Sequence, residues 1–270
     1  MHQIIKNILV PLDFSANNLS FVKQVAELAK QHGAEMHLLY TTNIRDWRSS
    51  TFPWLISPNE FSELVKEKTS LLTIWKRWLE RDYGIRVTTI ISYDKKEREI
   101  LHQIEMVNAD LVALLEQPQM NKWFAFWPTT VERIIKKSPC QVITFFSDKA
   151  TISDWKQVVI PITDFIPELR IQTIIDTAKI FKLKIHLVTI PLSGIESRPA
   201  DFFYLTETLK RLKPAGNVQV ECRCLKNGSS PIAIFLSYAR SIGADIMMTN
   251  MQVKDNDKSL IREINFFLEY

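Results

Sequence analysis

The stretch ADLVALLEQPQMNKWFAFWPTTVERIIKKSPCQVITFF, residues 109–146, decides the fold. It has the outline of a strand (Asp110 to Leu115), a turn enlarged into an aromatic loop, a helix, and a second strand (Val142 to Phe146). In an open α/β sheet, ligands sit at the carboxyl end of such a strand, because backbone N–H groups at the start of the following helix face outward there. The residues at that turn therefore govern what the protein binds.

Upstream, Asn7 to Leu12 (NILVPL) reads as a short apolar strand of the kind buried on both faces of a parallel sheet. Asp13, Ser15, Asn17 and Asn18 offer helix-capping side chains, and Val22, Val25, Ala26 and Ala29 follow at helical spacing until Gly33. Met36 to Thr41 (MHLLYT) is a second strand, completing a βαβ unit whose crossover should be right-handed. A loop rich in Pro, Ser and aromatics (Trp47, Phe52, Trp54) then leads to an amphipathic helix from Phe61 to Leu79, broken by Gly84. Ile85 to Ser92 is strand-like and Glu97 to Val107 a short helix. With Asp110 to Leu115 fourth and Val142 to Phe146 fifth, the order defines an α/β domain with a mostly parallel five-stranded open sheet flanked by helices.

Downstream, the polar stretch DKATISDW at 148–155 suits a linker, and the pattern then repeats. QVVIPIT at 157–163 matches NILVPLD at 7–13, with Pro161 in the place of Pro11. Ala178 and Lys179 match Ala29 and Lys30, IHLV at 185–188 matches MHLL at 36–39, and GADIMM at 243–248 matches NADLVA at 108–113. Matched blocks in one order imply two tandem copies of one domain, residues 1–148 and 155–270. The second is shortened: its second helix, around Phe203 to Leu212, is reduced, and the chain ends in about two helical turns and a strand, INFFLEY.

A chain of 270 residues has room for two such cores. Its 46% apolar and 24% charged residues are those of a soluble globular protein, and no apolar run approaches the ~18 residues of a membrane span. The opening MHQIIKNILVPLDF lacks the features of a signal peptide, so a cytoplasmic location is expected. Residues 1–148 carry 18 Lys/Arg against 17 Asp/Glu and residues 149–270 carry 16 against 13, without a basic block, so nucleic acid is not an expected partner. Cys140, Cys222 and Cys224 are too few for a disulfide framework, and no metal site is expected. Cys222 and Cys224 form a C-x-C whose side chains share one strand face, expected to be buried.

Several of these segments resemble the universal stress protein family in its tandem form. The resemblance rests on ILVPLDFS with Asp13, GAEMHLLY, the ADLVAL strand and above all VERIIKKSPCQVITF at 131–145, which looks like the family's closing helix and fifth strand. It covers 4–146 and, more faintly, 156–250. In the ATP-binding branch of that family the fourth strand leads into G-x2-G-x9-G-[ST]. Laid onto this chain without gaps, the glycine positions fall on Leu115, Pro118 and Pro128, and the Ser/Thr position on Thr129. Leu adds a side chain where phosphate oxygens would sit, while each Pro deletes an N–H donor and forbids the left-handed backbone that glycine supplies. The chain's six glycines lie elsewhere, and the loop carries Trp123, Phe124, Phe126 and Trp127 with Lys122 as its cation. In the second copy Thr163 stands at the position of Asp13, followed by Asp164, and Asn250 at that of the first glycine. Asp13, Thr41 and Thr129 remain as vestiges of a nucleotide site.

No catalytic residue set is present: there is no nucleophile elbow and no zinc-binding HExxH. His37 and His186 occupy equivalent strand positions, which points to a shared structural role, and Asp110 and Asp245 are read as caps of their preceding turns. The mixed charge run Asp94 to Glu99 is a solvated helix start. The expected function is a non-enzymatic stress-response protein that binds no ATP or other cofactor at the usual site and acts through contacts with an unidentified protein partner. As universal stress domains pair through their fifth strands, Val142, Ile143, Thr144, Phe145 and Phe146 are the expected interface, serving intramolecular pairing, a homodimer, or both. The alternative is a nucleotide-binding sensor using Asp13, backbone near Thr41 and a cation such as Lys122. Adenylyl or ATP-hydrolysing chemistry is a third idea without residues to support it.

Overall fold

A computed structural model describes residues 5–15, 18–42, 58–116, 129–146, 152–163, 166, 171, 175, 183–190, 202–212, 219–226 and 230–249. The first half builds β1 (Asn7–Leu12), α1 (Asn18–His32), β2 (Glu35–Thr41), α2 (Pro58–Tyr83), β3 (Val87–Ser92), α3 (Lys96–Met106), β4 (Leu111–Leu115), α4 (Thr130–Lys137) and β5 (Gln141–Phe145). The second builds β6 (Gln157–Pro161), β7 (Lys184–Thr189), α5 (Phe203–Leu212), β8 (Gln219–Cys224), α6 (Pro231–Ser241) and β9 (Ile246–Thr249). Among the described residues the helices flank one open sheet of nine strands, ordered β3-β2-β1-β4-β5-β9-β6-β7-β8.

Alternation along the strands explains the sheet's two covered faces. Ile8, Val10 and Leu12 of β1 point to one apolar layer together with Ile143 and Phe145 of β5 and Ile246 and Met248 of β9. Leu9, Val142 and Met247 point to the other. Both faces exclude water, so these strands carry continuous apolar runs instead of alternating ones. Each layer continues from β1 through β6 and β7, so the core is shared between the halves.

Among the described strands pairing is parallel within each half and antiparallel only at the seam. There Val142 faces Thr249, Ile143 faces Met248, Thr144 faces Met247 and Phe145 faces Ile246. Phe146 N–H extends the ladder by donating to the Asp245 carbonyl at 3.0 Å. In the second half β9 holds the place that β4 holds in the first, so β5 lies where a further strand would close that half. The helix before it is shared in the same way, since α4 packs on α3 and on α6. The strand expected at INFFLEY lies outside the described residues.

The two halves carry matching polar contacts. Asp110 Oδ2 accepts from the N–H groups of Lys6 at 2.8 Å and Asn7 at 3.0 Å. Asp245 Oδ2 does the same for Lys156 at 2.6 Å and Gln157 at 2.9 Å. These carboxylates therefore fasten the starts of β1 and β6, a correction to the expected local capping role. Asn108 and Gly243, just ahead of them, both adopt positive φ, +47° and +63°. Asn tolerates the left-handed region because its short side chain relieves the clash that larger residues meet there.

Two further expectations change. The linker is no free tether: Ile152 and Trp155 are buried, the Ile152 N–H donates to Glu27 Oε2 at 2.8 Å, and Trp155 Nε1 donates to Gln24 Oε1 at 2.7 Å. The Trp155 ring meets Phe145 edge-on at 5.8 Å, and Phe145 meets Phe21 at 5.1 Å. Cys222 and Cys224 are exposed, against the expected buried face, because β8 is an outer edge of the sheet.

Candidate functional site

The strand order reverses between β1 and β4, and the crevice beyond their carboxyl ends is where such sheets bind ligands. Asp13 leaves β1 at that point. Its Oδ1 accepts from the Ser15 N–H at 3.0 Å and from Asn18 Nδ2 at 2.7 Å, and Lys96 Nζ of α3 stands 4.0 Å from Oδ2. Burial opposes its ionisation, but the Ser15 and Asn18 hydrogen bonds and Lys96 outweigh this and hold the carboxyl below its usual range. Asn18 completes a closed loop by accepting the Asp13 N–H at 3.3 Å.

The next residue, Phe14, adopts φ +57°, uncommon for an aromatic residue. This turn aims its ring at Tyr40 of β2 (5.4 Å) and Trp75 of α2 (5.2 Å), with Lys68 Nζ 5.4 Å from the ring centroid. The space left at the switch point is a cavity of about 50 Å³ walled by Asp13, Lys96, Leu114, Leu115 and Thr130 among others. Small-ligand sites run to about 300–1,000 Å³.

Leu115, at the first glycine position, packs against the apolar layer of Ile8 and Phe145. Thr129 is the N-cap of α4: its Oγ1 accepts the Glu132 N–H at 3.0 Å. Thr41 ends β2 opposite Ser92. Asp13, Leu115 and the start of α4 are thus brought together at one crevice, while Thr129 is committed to its helix. Pro118, Pro128, Lys122, the aromatics at 123–127, Asn17, Asp164 and Asn250 lie outside the described residues. Val142 to Phe146 stand at the seam, away from this crevice.

Beside the crevice lies a polar contact that sequence reasoning missed. Glu116, directly after β4, is buried and pairs with Arg240 of α6, while Glu132 of α4 accepts from the Ser230 hydroxyl at the N-cap of α6. Burial pushes the Glu116 carboxyl up and the Arg240 guanidinium offsets only part of that. Partners 98 and 124 positions apart leave no local spacing to read.

His37 and His186 are tied alike. His37 Nδ1 lies 2.6 Å from Thr88 Oγ1 and Nε2 3.3 Å from Asn7 Oδ1. His186 Nδ1 lies 3.1 Å from Tyr238 Oη and Nε2 3.0 Å from Gln157 Oε1. Gln157 Nε2 donates to the Ile242 carbonyl, so its Oε1 faces the imidazole and the His186 proton sits on Nε2. Burial pulls both imidazoles down and keeps them neutral. An open groove of about 440 Å³ lies elsewhere, along α6 past Tyr238, Ser237 and Lys226. Among the described residues no cluster of three or more His, Cys, Asp or Glu could hold a metal, and no helix is long and apolar enough to cross a membrane.

An open, mostly parallel sheet flanked by helices defines an open-sheet α/β class of fold. Within that class the sequence model of the universal stress protein family matches residues 5–145, and the chain belongs to that family. A universal stress protein of Methanocaldococcus jannaschii is 24% identical over 143 residues, covering 51% of this chain and 80% of its own. The crystal structure of a universal stress protein from Archaeoglobus fulgidus shares the fold across both halves. Its TM-score is 0.58 at 17% identity, over 88% of this chain and 82% of that one. Universal stress protein UspA from Lactobacillus plantarum matches at TM-score 0.41 and 20% identity, over 52% of this chain and 97% of its own.

Proposed function

We propose that this universal stress protein holds no ATP at its switch point, catalyses no reaction, and acts in the cytoplasm in stress response through contacts with other proteins. The observation that carries this reading is the crevice itself. Its free space of about 50 Å³ is several-fold below what a nucleotide needs, and Leu115 fills the position at which the phosphate-binding members of the family have glycine. The remaining anchor, Asp13, is already engaged by Ser15, Asn18 and Lys96. Pairing of β5 with β9 takes the place of the fifth-strand dimer, making the chain its own partner.

Calorimetric titration of the full chain with ATP, ADP and AMP tests the first point. The expected result is no saturable heat with any of them. Micromolar binding that disappears in Asp13→Ala would overturn the proposal and restore the residual adenine site.

A further inference from the structure

The apolar pattern at the seam between β5 and β9 does not select its register. A register is strongly specified where a strand buries one face and wets the other. Neither seam strand does so: every residue of Gln141–Phe145 and of Ile246–Thr249 is buried. Sliding the second half by two residues along β5 moves it about 6.8 Å and keeps every side chain on its own face. Val142 would then face Met247 and Ile143 would face Ile246, apolar pairs of the same kind as the present ones.

The polar contacts between the helices of the two halves do not survive such a slide. Glu116, directly after β4, is buried and pairs with Arg240 in the last turn of α6. Glu132 of α4 accepts from the Ser230 hydroxyl at the other end of α6. A two-residue slide carries Arg240 out of contact and leaves the Glu116 carboxylate buried without its cation, a strongly unfavourable state. Stability alone does not account for the pair. An ion pair taken out of water recovers little beyond its own desolvation, and apolar residues of similar volume often serve a fold as well. What apolar residues do not supply is a single position. The linker contact, Trp155 on Gln24, lies in the apolar layer on the other side of the sheet.

We infer that the Glu116–Arg240 pair, together with the Glu132–Ser230 contact at the other end of α6, sets the register in which the second half docks on the first. These are positioning residues: they act on which strand residues face each other at the seam.

The test is NMR of the full chain labelled at its methionine methyl groups, because Met247 and Met248 lie in β9 at the seam and report its register. Met247→Leu and Met248→Leu assign their peaks. Wild type should give one peak for each, as should Arg240→Lys, which keeps a cation. Glu116→Leu combined with Arg240→Leu strands no charge. That chain should stay folded by far-UV circular dichroism and give two peaks for each seam methionine, one per register. Gln24→Leu, which removes the linker contact, should keep single peaks. Single peaks in the paired Leu variant overturn the proposal, as do doubled peaks in wild type. Doubled peaks in Gln24→Leu overturn it in favour of the linker. Unfolding of the paired Leu variant overturns it too, since the pair would then hold the fold and not choose its register.

Discussion

Phe145→Ala is the sharpest probe of how the halves hold together. The ring is fully buried, stands on the strand that faces β9, and touches Phe21 of α1 and Trp155 of the linker. Truncating a buried Phe costs about 3–5 kcal/mol, the lost transfer energy plus the cavity left behind. Two edge-on aromatic contacts place this site at the upper end of that range. Against a total stability of about 5–15 kcal/mol, that is a large fraction. Urea unfolding followed by far-UV circular dichroism reads the loss, and amide exchange by mass spectrometry shows where it falls. Because both apolar layers run through β5 into the second half, protection should fall in β6 and β7 as well as in β1. Phe203→Ala, which removes a ring that is 55% exposed, is the control and should change stability by no more than about 0.5 kcal/mol. A cost for Phe145→Ala below about 1 kcal/mol, or lost protection confined to one half, would refute the shared core.

Two other outcomes follow from the same geometry. With β5 covered by β9, light scattering should give the mass of one chain across a hundredfold range of concentration; a dimer mass would show that another surface pairs. His37 and His186 have pKa values lowered by burial from an ordinary 6.5, so the unfolded chain binds more protons in the window just below that value. Their contribution is therefore fully present above about pH 6.5 and declines as pH falls toward their folded values. Stability measured by urea should be lower at pH 5.5 than at pH 7.5. Glu116, whose carboxyl is pushed up, acts with the opposite sign, so the slope should steepen in Glu116→Gln. A flat or reversed profile in both backgrounds would remove the buried imidazoles from the account.

Much of the fold is written locally. Runs such as NILVPL and LVALL announce strands covered on both faces, and Asn108 and Gly243 share a positive φ at equivalent places in the two halves. The place of the crevice was legible as well, because Asp13 and Leu115 follow or end the two strands that flank it. What stayed hidden depends on strand order. Nothing in QVECRC says that it is an outer edge, so Cys222 and Cys224 read as core until β8 is placed last. Asp110 looked like a turn cap because its true partners, the N–H groups of Lys6 and Asn7, lie about a hundred positions away. The pairing of Glu116 with Arg240 is hidden for the same reason, and Trp155 looked like part of a tether because Gln24 is supplied by α1.

The seam between β5 and β9 has a consequence for symmetry. A pair of identical domains meeting through one strand each is related by a two-fold axis, and such a contact closes on itself. Here a fifth strand meets a fourth, and the two sides of the junction are unlike. The contact is heterologous: one face is a plug and the other a socket. Sealed inside a single chain, it is saturated. Opened in two molecules at once, it would offer each plug the other molecule's socket, a reciprocal exchange that closes as a swapped dimer.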